Sequence, residues 1–231
     1  MQARTIIIGD RSVPLEIRRN SRAKRILLRV DKVGGIVRLT LPAGVSERKA
    51  LRFAASQHDW VRDQLETACA LDRPGCGSTL QVRGQQYGLT FAPGERRGVW
   101  QQADRIIVGG PVEHAPKRLL RWLKDEARAS LTVASQQHAD RLAVSFERIS
   151  IGDMRSRWGS CSSTGGLRFN WRLVLAPGDV LDYVAAHEVA HLREMNHSKE
   201  FWAHVETLVP DWQQQRTWLK AQGHRLLALT F

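Results

Sequence analysis

Two histidines lie four residues apart, in the order His-Glu-x-x-His, within a segment of strong helical periodicity. Residues four apart on an α-helix share a face, so His187 and His191 can direct both imidazole rings at one cation. Glu188 lies one position round the helix, where its carboxylate can contact a metal-bound water without binding the metal. We therefore expect a helix over about residues 179–195 that holds Zn²⁺ as cofactor, with Glu188 as the general base.

A catalytic zinc site needs a third protein ligand, with the fourth position left to water. His197 follows His191 by six residues, and Asn196 before it tolerates the left-handed conformation that ends helices. The chain can therefore turn back and bring His197 to the pair without help from a second element. His204 and Glu206, both on the next predicted helix, are the alternative third ligands.

The composition excludes several classes of protein. Of 231 residues, 42% are hydrophobic and 25% are charged, which are globular values. No apolar stretch approaches the ~18–20 residues that a membrane span needs, and the first residues show no signal-peptide pattern. Cys69, Cys76 and Cys161 are odd in number and form no C-x-x-C pair, which argues against a disulfide framework. We expect a cytoplasmic location and no membrane partner.

The chain is strongly basic, with 35 Lys+Arg against 23 Asp+Glu and a formal net charge of +12. Most of the excess is arginine, which binds phosphate and carboxylate groups through two parallel hydrogen bonds. One interpretation is an anionic or nucleic-acid partner on this basic surface. The other, which we favour, is a solvated surface, because the basic residues are scattered and form no block.

The order of patterns along the chain predicts an α+β fold. Short β-branched runs separated by turn residues fill the first 45 residues and predict a meander with one wet face. Three further strands follow between Thr79 and Val108. Helical periodicity extends over residues 116–142, and again from Asp179 almost to the end.

These patterns predict how the chain is organised. Residues 1–112 are expected to form a mostly antiparallel β-rich region. Residues 113–231 are expected to form a helical catalytic core that carries the metal-binding helix. Together they are expected to form a single unit over residues 1–231.

Further motifs surround the histidines. They are Arg155-Ser156-Arg157-Trp158-Gly159-Ser160-Cys161-Ser162, Asn170-Trp171-Arg172-Leu173, Ala176-Pro177, Asp182-Tyr183-Val184, Asn196-His197-Ser198 and Phe201-Trp202. With these motifs, over about residues 145–223, the chain resembles the YgjP-like metallopeptidase family, which is related to the SprT and WLM zincins. The resemblance implies a compact zincin fold, zinc on His187, His191 and His197, and Glu188 as general base.

Two of these motifs also suggest substrate contacts. The Arg155–Ser162 segment suits a strand beside the site, and its backbone can pair with an extended peptide by strand addition. The Asn170–Leu173 segment can orient a zinc ligand or a substrate carbonyl. The alternative for both is a packed strand, because tryptophans lie within them. The candidate substrate-binding residues are Arg155, Arg157, Ser160, Asn170 and Arg172.

Three functions are consistent with these features. The first is a zinc metallopeptidase, a hydrolase acting on a peptide or protein substrate. The second is a metal-dependent nucleotide triphosphate hydrolase, in which arginines hold the phosphates. The third is a nucleic-acid-binding module with a structural zinc, or a DNA-associated protease. We favour the first. The sequence contains no P-loop or acidic two-metal cluster to support the second. Glu188 and the open coordination position count against the structural zinc of the third, because structural zinc sites are usually closed by four protein ligands.

Overall fold

The computed structural model describes residues 4–8, 11–31, 35–66, 73–154 and 156–231. The predicted α+β class is confirmed, with strands dominating the first half and helices the second. The chain divides into two compact units, Met1–Asp72 and Arg73–Phe231. No helix in the described ranges is both long and apolar enough to cross a membrane.

The first unit is a four-stranded sheet accompanied by two helices. Its strand order is β1-β2-β4-β3, and β2 pairs with β4 in parallel while the two outer pairs are antiparallel. The expected meander is therefore wrong, because alternation shows which face of a strand is buried but not which strand lies beside it. The elements are β1 (Arg4–Ile8), β2 (Arg11–Arg19), β3 (Leu27–Asp31), β4 (Ile36–Leu41), α1 (Glu47–Ser56) and α2 (His58–Glu66).

The second unit contains two sheets. One has the order β5-β6-β8-β7 and the other the order β10-β11-β9. Each contains one parallel pair, β6 with β8 and β11 with β9. Because the division falls at residue 72, the first of these sheets belongs to the unit that holds the helical core; a single unit over residues 1–231 stays a prediction. The strands are β5 (Thr79–Val82), β6 (Gln85–Ala92), β7 (Gly98–Gln102), β8 (Arg105–Gly109), β9 (Arg148–Gly152), β10 (Gly159–Cys161) and β11 (Gly166–Asn170).

The long helix α3 contributes a buried apolar face to the core of the second unit. Its apolar residues recur at helical spacing, and Leu119, Leu123, Ala127 and Leu131 are fully buried. This face packs against α4 and against the sheet of β5–β8. The helices of this unit are α3 (Ala115–Leu142), α4 (Gly178–Ala190), α5 (Lys199–Leu208) and α6 (Trp212–Ala228), with short 3-10 turns at Val112–His114 and Trp171–Leu175.

The helix that carries the His-Glu-x-x-His motif ends earlier than predicted. We expected it to reach about residue 195, but α4 stops at Ala190, and His191 is its C-cap. The N–H groups of Leu192 and Arg193 donate to the carbonyls of Val189 and Ala190, three residues back. These tight bonds narrow the last turn and redirect the chain immediately after His191.

The buried face of α3 predicts the effect of a substitution there. Leu123→Ala should lower the free energy of unfolding by about 2–5 kcal/mol, because it leaves a cavity in the core. The control is Val133→Ala on the same helix, whose side chain is 59% exposed, and it should change stability by no more than about 0.5 kcal/mol. Urea unfolding followed by tryptophan fluorescence measures both. Equal effects of the two substitutions would contradict the packing described here.

Candidate metal centre

Three histidines converge at the end of α4. His187 is on the last turn of α4, His191 caps it, and His197 lies in the connection just before α5. The Nε2 atoms of His187 and His197 are 3.2 Å apart, and the candidate ligand atoms of all three rings lie within 4.8 Å of one another. In the described part of the chain no other three metal-ligating side chains meet in this way. The structure therefore brings His197 to the pair, and leaves His204 and Glu206 outside the group.

The arrangement fits a metal ion with nitrogen ligands. Two nitrogens that bind zinc at ~2.0–2.1 Å with tetrahedral angles lie about 3.4 Å apart, close to the observed 3.2 Å between His187 and His197. Nδ1 of His191 lies 3.0 Å from the carbonyl oxygen of Glu194. Because a carbonyl oxygen only accepts, Nδ1 carries the proton, and the lone pair of Nε2 is left free for a metal.

Aromatic side chains fix the positions of the three rings. The fully buried Phe201 has its ring centroid 4.9, 4.5 and 4.8 Å from the centroids of His187, His191 and His197. Ser198 caps α5 by accepting a hydrogen bond from the backbone N–H of Phe201 at 3.3 Å. The helix that supplies Phe201 therefore begins directly after His197, and packing limits the rotamers of all three histidines.

Burial keeps two of the histidines neutral. It lowers the pKa of His187 to about 3, with smaller contributions from the charges of His191, His197 and Arg216. Burial also lowers the pKa of His191. Both imidazoles are therefore neutral at pH 7, and a metal ion need not displace protons from them. Neutral imidazole is a donor that suits zinc, copper, iron and nickel.

Glu188 is buried beside this cluster. Its side chain is 5% exposed, and burial raises its pKa to about 8, while the charge of Arg157 acts in the opposite direction. Gly159 of β10 lies directly against it, because a Cβ at that position would be 2.6 Å from Cγ of Glu188. Any side chain at 159 would therefore displace the carboxylate. A divalent cation nearby would lower the pKa of Glu188 again by direct attraction.

The strand β10 presents a free backbone edge beside Glu188. Asn170 donates its N–H to the carbonyl of Trp158, and Ser162 donates to the carbonyl of Gly166. Alternate residues of a strand direct their backbone groups to opposite sides, so residues 158, 160 and 162 face β11. The N–H and C=O groups of Gly159 and Cys161 therefore point to the other side, where no strand pairs with β10 in the described residues.

The predicted substrate-binding residues separate into two sets. Arg157 is exposed and close enough to Glu188 to affect its pKa, and Ser160 is half-buried in β10. Arg155 lies outside the described residues.

The other set, Asn170 and Arg172, already forms hydrogen bonds within the fold. Asn170 is fully buried, donates to the carbonyl of Met154 at 2.6 Å and accepts from the N–H of Arg172. The guanidinium of Arg172 donates to the carbonyl of Leu229 and to the carboxylate of Asp153. A substrate role for either residue stays a prediction, and these contacts count against it, because the polar atoms already have partners.

Sequence reasoning missed two residues that the structure brings to the site. Gly159 belongs to the Arg155–Ser162 motif, but nothing in the sequence indicates that it lies against Glu188. Arg216 of α6 lies with its guanidinium carbon 5.2 Å from the ring centroid of Trp202. Trp202 in turn contacts His187 and His197, with centroids 5.8 and 5.9 Å away. Arg216 is far from the motif in sequence, and only the packing of α6 against α4 brings it close.

Comparison with known proteins agrees with this geometry. The model of the family described as YgjP-like, metallopeptidase domain, matches residues 24–222. The chain belongs to this family. The YgjP-like protein is therefore a peptidase of the hydrolase class, and its family implies a metal ion. No curated protein matches the chain.

Two solved structures are similar to part of the YgjP-like chain. One is the metallopeptidase zymogen abylysin of Pyrococcus abyssi, with 21% identity, 40% of this chain and 95% of that chain covered, and a TM-score of 0.36. The other is the metallopeptidase zymogen jannalysin of Methanocaldococcus jannaschii, with 22% identity, 39% and 91% covered, and a TM-score of 0.34.

The raised pKa of Glu188 predicts a pH-dependent stability in chelator-treated protein. The native pKa of about 8 lies above the ordinary value of 4.5. Below pH 4.5 the carboxyl is neutral in both the native and the unfolded protein, so it does not make the free energy of unfolding depend on pH. As the pH rises from 4.5 towards 8 the native state loses stability, because the carboxyl ionises readily only in the unfolded chain. Glu188→Gln removes this loss, so its stability advantage over wild type should grow by at least about 1 kcal/mol between pH 4.5 and 8.

Urea unfolding at the two pH values measures this difference. Glu206→Gln, at an exposed position, is the control for loss of a carboxylate and should show the same difference from wild type at both pH values. A Glu188→Gln advantage that does not change with pH would contradict the buried, protonated carboxyl.

Proposed function

We propose that the protein is a zinc-dependent peptidase that hydrolyses peptide bonds with Glu188 as general base. The observation that carries the proposal is the convergence of three histidine nitrogens next to one buried carboxyl: His187 and Glu188 lie on α4, His191 caps it, and His197 lies in the connection that follows. His187, His191 and His197 would hold the ion. Zinc in such a site supplies Lewis acidity, which lowers the pKa of a water and polarises the scissile carbonyl.

Glu188 has the properties of a group that accepts and returns a proton. As a carboxylate beside a cation it accepts the proton of the attacking water, and as a carboxylic acid it donates that proton to the departing amine. Burial raises the pKa of Glu188 to about 8, and a bound cation would lower that pKa again by favouring the charged form. The carboxylate can occupy this position because residue 159 is glycine, since there is no room for a Cβ between β10 and Glu188.

The free edge of β10 is the proposed binding surface for the substrate. The backbone groups of Gly159 and Cys161 can pair with an extended peptide, which would add a strand to the β10-β11-β9 sheet. Because Gly159 lies against Glu188, a peptide paired with this edge would lie next to the proposed general base. Backbone pairing of this kind accepts many sequences, and the peptide's side chains would meet Ser160 and Arg157 at the rim.

Two arginines at the site support a second candidate. Arg157 acts on the pKa of Glu188 and Arg216 on that of His187, and neither forms an ion pair with a carboxylate in the described residues. Arginine binds phosphate oxygens well. Hydrolysis of a nucleoside triphosphate with the same general base is therefore the alternative function.

We also propose a cytoplasmic location. Cys76 and Cys161 are free thiols, and Cys76 is exposed. Exposed free thiols persist in a reducing compartment.

The ligand assignment predicts the effect of removing His197. His197→Ala should weaken zinc binding at least about 100-fold, because the loss of a ligand costs more than the 10–100-fold of a supporting contact. His204→Ala, seven residues further along, should retain one zinc per chain. Competition with a chromogenic chelator measures both affinities. Loss of zinc in His204→Ala but not in His197→Ala would overturn the assignment.

The proposed general base predicts a separation of binding from turnover. Glu188→Gln should keep one zinc per chain but lower the turnover of casein-derived peptides by about 10²–10⁴-fold. Glu206→Gln should leave both properties unchanged. Turnover that survives Glu188→Gln would exclude the mechanism. If wild type hydrolyses nucleoside triphosphates and not peptides, and Glu188→Gln abolishes that reaction, the second candidate replaces the first.

A further inference from the structure

The first unit contains a basic turn, Arg18–Arg25, that joins β2 to β3. Its sequence is Arg-Arg-Asn-Ser-Arg-Ala-Lys-Arg, with five cationic residues in eight and no acidic one. The expectation that the basic residues form no block is therefore wrong for this segment. A block of this density is typical of a surface that binds a polyanion.

The backbone of the basic turn is held in one conformation. The N–H of Asn20 donates to the carbonyl of Leu41 at 2.9 Å, and the side-chain oxygen of Asn20 accepts from the N–H of Arg22 at 3.0 Å. Arg19 donates to the carbonyls of Ala43 and Val45 at 3.3 and 3.1 Å. One cation of the block is therefore used to anchor the turn, which is ordered before any ligand binds.

The other four cations of the basic turn face solvent. All are exposed, and within the described residues none of them forms an ion pair with a carboxylate. They are Arg18, Arg22, Lys24 and Arg25. Like charges held this close repel one another, and a row of phosphates would relieve that repulsion.

An aromatic recess adjoins the basic turn. It lies between β3 and the corner where α1 meets α2, and Trp60, which is 43% exposed, forms part of its wall. Arg25 belongs to both features, so one cation of the basic turn lines the same recess as the indole ring of Trp60. The lining residues are Arg25, Ile26, Leu27, Leu28, Phe53, Gln57 and Trp60.

We propose that the first unit binds single-stranded nucleic acid. Arg18, Arg22, Lys24 and Arg25 contact consecutive phosphates, and a base enters the aromatic recess and stacks against Trp60. Stacking on an aromatic wall beside a cationic track is how proteins hold single strands without reading their sequence. A duplex keeps its bases paired and stacked, so it can use the cations but not the recess.

The recess distinguishes this ligand from an anionic membrane. A lipid surface would also attract the four cations. The wall of the recess that carries Trp60 also includes Gln57, and the ring lines a groove instead of standing at the tip of a loop. A groove accepts a flat ring that enters it, whereas a membrane anchor must project into the bilayer.

The phosphate contacts are tested on the full-length protein with a fluorescein-labelled 12-nucleotide oligo(dT). The triple variant Arg22→Gln, Lys24→Gln, Arg25→Gln should weaken binding at least 10-fold at low salt. It should also reduce the slope of log affinity against log salt by about 2, since each phosphate contact on a single strand contributes about 0.7. The matched control, Arg48→Gln, Lys49→Gln, Arg52→Gln, removes the same charge from exposed positions of α1 outside the recess. It should change affinity less than 3-fold.

The stacking contact is tested separately with Trp60→Ala. This variant should weaken oligo(dT) binding by about 5- to 150-fold, the range expected for one stacked base, while Trp60→Phe should restore most of the affinity. Neither variant should affect binding of heparin or of a 12-base-pair duplex. Leu51→Ala, another exposed apolar position of this unit outside the recess, is the control.

Three outcomes would overturn the proposal. Equal loss in the two triple variants would show a non-specific charge effect. An unchanged affinity in Trp60→Ala, with duplex bound as tightly as oligo(dT), would show that no base is stacked. Binding to vesicles containing 20% phosphatidylserine without binding to oligo(dT) would assign the surface to a membrane. Circular dichroism shows whether each variant is folded. If the triple variant does not fold, the Trp60 variants still test the proposal.

Discussion

The second unit is built around the buried helix α4. Val184, Ala185, Ala186, Val189 and Ala190 are all at most 4% exposed, and α3, α5, α6 and β10 pack around them. A helix that is apolar on nearly every side must lie in the interior. The same burial removes water from Glu188 and His187. It raises the pKa of Glu188 and lowers the pKa of His187, so both side chains favour their neutral forms. The packing that stabilises the unit therefore also sets the chemistry of its site.

The connection that carries His197 is held at both ends. At its start, the guanidinium of Arg193 donates to the carbonyls of Leu142 and Ala143 at the end of α3. At its end, Ser198 caps α5. A third contact joins α3 to α4 itself, because Nε2 of the buried His138 lies 2.9 Å from Oδ1 of Asp182. The loop is thus short and anchored, and His197 is positioned before any metal binds, which lowers the entropy cost of binding.

The parts of the structure that could be predicted from the sequence are local ones. His187 and His191 are four residues apart, and His197 follows after a short turn. Because one helix and one turn are enough to bring the three rings together, the sequence pattern can predict that they meet. The order of the strands could not be predicted in this way, because β2 and β4 pair in parallel although β3 lies between them in sequence. The contact between Gly159 and Glu188 joins residues on different elements, and no periodicity encodes it. The sequence contains the basic turn, although we expected no block of basic residues, and only the fold shows that its Arg25 lines the same recess as Trp60.

The α+β class, the family resemblance and the His-Glu-x-x-His motif followed by His197 can be read from the amino-acid sequence alone, because each rests on residue types at short, regular spacing. What surrounds them follows from tertiary packing: the free edge of β10 next to Glu188, the burial that raises the pKa of Glu188, and the hydrogen bonds of Asn170 and Arg172 within the fold. These features depend on which elements come to lie side by side. That outcome is set by the packing of many apolar residues together, and no single motif carries it.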